Sequence, residues 1–202
     1  MQMLRRDHWL AGLVVFAVSG CATVSQTADV SADLPAFQRV DEHLYRGGQP
    51  SLEGLRQLKQ MGVKTVVSLR HRTRVTEEEE RAVKSLGMRW VNLPMLYWWR
   101  PTPQQIRQFI TLVDQPDNQP VFVHCRKGQN RAGIMTAIYR IVRQHWTPEQ
   151  AYEEGRQLGL VSWNVMTRNL LYHEIPRTFK VTAAGSPGDF PRAPELARTL
   201  SH

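Results

Sequence analysis

The stretch Val121-Phe122-Val123-His124-Cys125-Arg126-Lys127-Gly128-Gln129-Asn130-Arg131-Ala132-Gly133 decides how this chain folds. Val121 to Val123 are wholly apolar, as expected of a short strand at the centre of a buried sheet. A helix is expected from about Arg131 to Gln144. The polar segment between them therefore lies at the carboxyl end of a strand, where open α/β sheets place ligands. A loop that curls onto a helix N-terminus points several backbone N–H groups at one spot, which makes an anion cradle without any side chain.

Working upstream, the chain alternates. Thr102-Pro103 opens a helix with Ile106, Phe109, Ile110 and Val113 on one side, Pro being suited to the first helical turn. Arg89 to Leu93 reads as a strand, and a helix before it is expected to start at Thr76, with Glu77 to Glu80 on the positive end of its dipole. That acidic run is read as a capped helix start and a solvated face. Val63 to Leu69 is rich in β-branched residues and reads as a strand. Ser51 caps a helix carrying Leu52, Leu55, Leu58 and Met61, closed by Gly62. Val40 and His43 to Arg46 suggest a strand or hairpin. Downstream, Thr147-Pro148 begins another helix, and a last one covers Asn164 to His173. Strand–helix alternation over residues 37–173 predicts a single α/β domain, a mostly parallel central sheet flanked by helices. The domain is expected over 37–175, with a mobile tail over 176–202.

Cysteines at helix N-termini and beside Arg or Lys are held as thiolates, and the thiolate is the nucleophile. Cys125 is thus the expected nucleophile. Arg131, six residues on, can curl back with a planar fork that matches two oxygens of a phosphoryl group. Gly128 supplies the tight turn. Arg126 and Lys127 either widen the anionic pocket or are simply solvated. Gln129 and Asn130 complete the expected phosphate-binding loop, which runs from Arg126 through Lys127, Gly128, Gln129 and Asn130 to Arg131.

The segment His124-Cys125-x5-Arg131 resembles the signature loop of the protein tyrosine and dual-specificity phosphatase superfamily. A second stretch, Leu44-Tyr45-Arg46-Gly47-Gly48-Gln49-Pro50 followed by Leu55, Leu58, Gly62, Val66 and Leu69-Arg70, is similar to the start of small bacterial and plant–fungal atypical members. The resemblance implies a phosphocysteine intermediate and a role for His124 in orienting the loop, although a merely packed histidine remains open. It also exposes two departures. Ala132 stands where the family usually has Ser or Thr, whose hydroxyl eases departure of the thiolate. Relatives commonly carry a general-acid Asp after the strand equivalent to Arg89–Leu93, yet no Asp or Glu occurs between Leu93 and Val113. The acid must come from elsewhere, for instance Glu77–Glu80, or the substrate must have a good leaving group. Tyr97, Trp98 and Trp99 occupy that loop instead, as an aromatic rim, a lipid-facing cluster or plain packing. Two other readings stay open. One is a membrane-tethered pseudophosphatase that binds phosphate esters with little turnover; the other is a sulfurtransferase-like loop, which Arg131 disfavours.

The remaining features set the context. The chain has 202 residues and a formal net charge of +8, which favours anionic partners. Its positive charges are scattered and no nucleic-acid module occurs, so a nucleic-acid partner is not expected. The expected partner is a phosphorylated substrate: a protein, an inositol phosphate or a lipid phosphate. No cofactor is expected and no metal ligand set stands out. The two cysteines, Cys21 and Cys125, cannot form a disulfide framework and need separate explanations. Residues 1–20 have a basic start with Arg5 and Arg6, an apolar run from Trp9 to Val18 and a small-residue end, the order of a secretory signal peptide. The run is shorter than the ~20 residues of a membrane span. Val18-Ser19-Gly20-Cys21 resembles the lipobox of bacterial lipoproteins, which implies lipidation of Cys21. Residues 21–36 then form a lipidated N-terminus and tether. Ala22 after the cysteine implies an exported lipoprotein on the periplasmic face of the outer membrane, held to the membrane through Cys21.

Overall fold

The computed structural model describes residues 30–96, 100–161 and 165–180. The core is a five-stranded sheet in the order β1-β2-β5-β3-β4. Its strands are β1 (Gln38–Arg39), β2 (Leu44–Gly47), β3 (Thr65–Ser68), β4 (Arg89–Asn92) and β5 (Val121–His124). The short edge hairpin β1–β2 is antiparallel, and β2, β5, β3 and β4 run parallel. The expected α/β architecture is the one observed, and the hairpin expected around Val40 and His43–Arg46 is built by Gln38–Arg39 and Leu44–Gly47, with Val40 in the connection.

Because side chains alternate across a strand, each strand feeds both layers. Val66 and Phe122 face one layer, where they pack with Leu55, Leu58, Val83 and Met88. Val67, Val121 and Val123 face the other, with Ile106, Phe109, Ile110, Met135 and Ile138. The first layer is built by α2 (Leu52–Gln60) and α3 (Arg74–Ser85), the second by α4 (Pro103–Asp114), α5 (Asn130–Gln144) and α6 (Pro148–Gln157). In α5 every residue from Arg131 to Val142 is buried, as befits a helix wedged between sheet and outer helices.

The caps follow the sequence closely. Ser51, Thr102 and Thr147 each accept a hydrogen bond from the backbone three residues on, which satisfies an orphan helix donor. Three expectations are corrected. The start of α3 is capped by Thr73, and Thr76 sits at the third helical position and bonds back to it. Leu52 and Met61 point to solvent, leaving Leu55 and Leu58 to anchor α2.

The third correction concerns the last helix, which does not stop at His173. It continues from α7 (Val165–Asn169) through a π turn (Leu170–Glu174) into α8 (Ile175–Thr178). Pro176 reads as a stop because it lacks an N–H. The wider turn just before it lets the chain pass through a proline that a regular α-helix would reject.

The domain also begins earlier than residue 37. A short helix, α1 (Val30–Asp33), leads into Leu34, which is 1% exposed in the first layer. Asp33 accepts from the Ser51 amide and Pro35 from the Gly48 amide. Residues 1–29 and 181–202 lie outside the described residues, and with them the signal peptide, Cys21 and most of the expected tail. Among the described residues no helix is long and apolar enough to cross a membrane.

Candidate active site

At the carboxyl end of β5 the chain turns sharply from Cys125 to Asn130 before α5 begins. Strand β2 and the segment after it hold this turn from behind. The Cys125 amide donates to Gly47 O at 3.4 Å and the Gln49 amide to Arg126 O at 3.2 Å. Arg46, 1% exposed, sends its Nη2 to Gly128 O. With the carbonyls of Arg126 and Gly128 drawn toward this scaffold, the planar trans peptides aim the next amides, Lys127 and Gln129, the opposite way. The loop lines an open cavity of about 440 Å³ through Cys125, Arg126, Lys127, Gln129, Asn130 and Arg131.

Gly128 does not line the cavity. Its φ of +76° is left-handed, and a Cβ there would sit 2.7 Å from Gly48 N. The glycine is needed for the turn and for the close approach of loop to scaffold, both at once. Gln129 packs over Gly159, and Asn130 Oδ1 accepts from the Val161 amide at 3.1 Å. These two side chains tie the loop to the segment after α6, so what they offer an anion is backbone. Arg131, 8% exposed, donates its Nη1 to Leu69 O at 3.1 Å and to Met95 O at 3.4 Å. Its guanidinium is thereby held across the ends of β3 and β4, on the cavity wall.

His124, fully buried, stacks on Phe122 with ring centroids 5.7 Å apart. Its Nδ1 lies 3.4 Å from Cys125 O, and its Nε2 lies 2.9 Å from Oε1 of Glu79. The latter contact is close but poorly aligned with the ring N–H, so it acts as an attraction of charge more than as a directed hydrogen bond. Glu79 is 5% exposed and also accepts from Gln49 Nε2 at 2.6 Å and Trp90 Nε1 at 3.2 Å. Burial alone raises a carboxyl's pKa, but here the charge and close approach of His124 and the hydrogen bonds from Trp90 and Gln49 outweigh it and hold Glu79 below its ordinary range.

Glu79 thus corrects the reading of the acidic run as a solvated face. The run is the start of α3, and one turn of helix carries its third member inward under the loop. The other three are engaged on the surface: Glu77 and Glu80 with Arg72, Glu80 also with Lys84, and Glu78 with Arg74. None of the four lines the cavity, so none stands where a leaving group needs a proton. Asp114 is equally spent, in a two-pronged pair with Arg143 at 2.7 and 2.5 Å. Tyr97, Trp98 and Trp99 lie outside the described residues.

A further part of the wall comes from the segment between β3 and α3, of which the sequence analysis named only Arg70, as part of the resemblance. Arg70, His71 and Thr73, between β3 and α3, line the same cavity. Arg70 Nη1 donates to Gln49 Oε1 at 2.6 Å, which closes a chain from Arg70 through Gln49 and Glu79 to His124. Burial lowers the Arg70 pKa from its ordinary value, against the pull of Glu79 and with the repulsion of Arg131 and Arg126. The signal available in the sequence was topological: β3 lies beside β5, and ligands sit at the carboxyl ends of adjacent parallel strands.

This geometry has counterparts. A family model described as DSP-PTPase phosphatase fused to NAD+ kinase matches residues 18–168. The dual specificity protein phosphatase TpbA of Pseudomonas aeruginosa (strain UCBPP-PA14) is 29% identical over 136 residues, covering 67% of this chain and 58% of that protein. Among solved structures, the catalytic domain of the PP-IP phosphatase SIW14 from S. cerevisiae superposes with a TM-score of 0.61 at 21% identity, over 72% of this chain and 91% of that one. P. aeruginosa TpbA does so with a TM-score of 0.57 at 22% identity, over 83% and 91%. The chain spans less than two thirds of the length of the first of these relatives, and the two superpositions establish the shared fold.

Proposed function

Because this chain belongs to the DSP-PTPase phosphatase family, we propose that it hydrolyses phosphate monoesters through a phosphocysteine formed on Cys125. The observation that carries the reading is the cavity itself: Cys125 and Arg131 wall it together with Arg126, Lys127, Gln129 and Asn130 of the turn from β5 into α5. Cys125 Sγ attacks phosphorus and the bond to the ester oxygen breaks. Arg131 and the loop amides take up charge on the equatorial phosphoryl oxygens, as preorganised donors do most effectively away from water. Water then attacks the phosphocysteine and releases inorganic phosphate and the thiolate. Glu79, through His124, keeps the first turn of the loop in register.

The substrate proposal is a multiply charged phosphate ester. Arg70, Arg126, Lys127 and Arg131 line the cavity with no carboxylate among the described lining residues. Such a wall suits an inositol polyphosphate or a phosphorylated protein flanked by acidic residues. The relatives' names, a dual specificity protein phosphatase and a PP-IP phosphatase, agree with either. We further propose that residues 1–20 are an export signal and that Cys21 is lipidated, fixing the domain at the periplasmic face of the outer membrane. Its support is the order of residues alone, Arg5-Arg6, the apolar run and Val18-Ser19-Gly20-Cys21. A Cys21→Ser variant that leaves the membrane fraction would support it, and one that stays would overturn it.

The activity test is release of p-nitrophenol from its phosphate ester in chelator-containing, reducing buffer. Turnover by the parent and none by a Cys125→Ser variant is the expected result. A folded parent as silent as the variant would leave an anion-binding module in place of an enzyme.

A further inference from the structure

A cysteine phosphatase acting on an unactivated ester needs a proton for the departing oxygen, and here no carboxylate among the described cavity residues can give one. The cavity wall does hold one imidazole, the side chain most often used to donate and accept protons in catalysis. His71 follows Arg70 at the carboxyl end of β3 and lines the same cavity as Cys125. Its own backbone is held, since Thr76 Oγ1 reaches His71 O at 3.5 Å and the adjoining Thr73 caps α3. Its ring is exposed to solvent, which allows reprotonation between turnovers. The other described basic groups on the wall, Arg70, Arg126, Lys127 and Arg131, are guanidinium and ammonium groups suited to hold phosphoryl oxygens.

We propose that His71 is the general acid and base of this enzyme, in the place that relatives give to an aspartate after the fourth strand. This rests on the phosphatase reading above. As Sγ of Cys125 forms its bond to phosphorus, the P–O bond to the leaving group breaks, and its electron pair takes the proton of the His71 imidazolium. The neutral ring then accepts a proton from the water that attacks the phosphocysteine. That step expels the thiolate, yields inorganic phosphate and restores the imidazolium, so the proton count closes over one turnover.

The test compares the parent with His71→Asn and Cys125→Ser on aryl phosphates of graded leaving group, from p-nitrophenyl to phenyl phosphate. With His71 as the acid, the variant keeps kcat/KM for p-nitrophenyl phosphate within about threefold and loses about 10²-fold in kcat/KM on phenyl phosphate, the usual worth of such catalysis. The dependence of kcat/KM, which reports the transfer to Cys125 and not the later hydrolysis, on leaving-group basicity steepens accordingly, while kcat falls on every ester because the base is lost too. The retained kcat/KM of the activated ester also shows that the variant is folded. An equal loss of kcat/KM on every ester, or no loss on any, overturns the proposal while leaving the phosphatase reading intact. A parent no faster than Cys125→Ser on p-nitrophenyl phosphate overturns both.

Discussion

The junction from β5 to α5 gives the cavity its backbone, whereas the junction from β3 to α3 gives it side chains. In the first, the Arg126 carbonyl accepts from the Gln49 amide and the Gly128 carbonyl from Arg46, while the Cys125 amide donates to Gly47 O. There the residue types matter chiefly where a side chain reacts or clamps, at Cys125 and Arg131, or where none is allowed, at Gly128. In the second, Arg70 and His71 reach the same space by their own length, and Glu79, one helical turn further on, passes beneath it to His124. One junction is a mould and the other a set of fingers. A mould tolerates little change, and fingers can be exchanged.

That contrast predicts a graded series of effects. Cys125→Ser should abolish p-nitrophenyl phosphate turnover, by on the order of 10⁴-fold or more, because the other groups cannot replace a nucleophile. Arg131→Lys keeps the charge but loses the fork. A loss of about 10²–10³-fold in kcat is expected, as for removal of one oxyanion donor. A loss below tenfold would mean that the backbone alone holds the phosphoryl group.

Under the loop, Glu79→Gln should cost about 2 kcal/mol in urea unfolding at pH 7, the worth of hydrogen bonds to a buried charged group. The pH dependence has a definite sign. Glu79 is held below its ordinary value of 4.5, so its stabilisation is complete above that value and is lost as the pH falls below it. The gap in stability between parent and variant should therefore narrow in acid. Arg70→Gln is the mildest: KM for an anionic ester should rise by about tenfold with little change in kcat, the pattern of a group that binds ground and transition states alike. A larger fall in kcat than rise in KM would move Arg70 from finger to mould.

The same contrast explains what could be read from the chain. The mould is contiguous, and strand, cysteine, glycine, arginine and helix follow one another in thirteen residues, Val121 to Gly133. The fingers depend on neighbours far apart in sequence. Glu79 meets His124 only because β3 lies beside β5 and α3 packs on that face, and four glutamates in a row conceal which one faces inward. Arg46 was legible as part of a motif, yet its burial beneath Gly128, 82 residues away, was not. Pro176 misled for the converse reason, since a local rule gave way to a wider turn that tertiary packing supports.

The segment Asp33–Ala36, bonded to Gly48 and Ser51 and lying against Gly128, also gives the protein a mechanical side. With Cys21 anchored in lipid as proposed, the twelve residues from it to Asp33 reach at most ~43 Å when fully drawn out. The domain would then sample substrates within that distance of the membrane, and a pull along the chain would meet Asp33–Ala36, which is bonded to the residues behind the Cys125 loop.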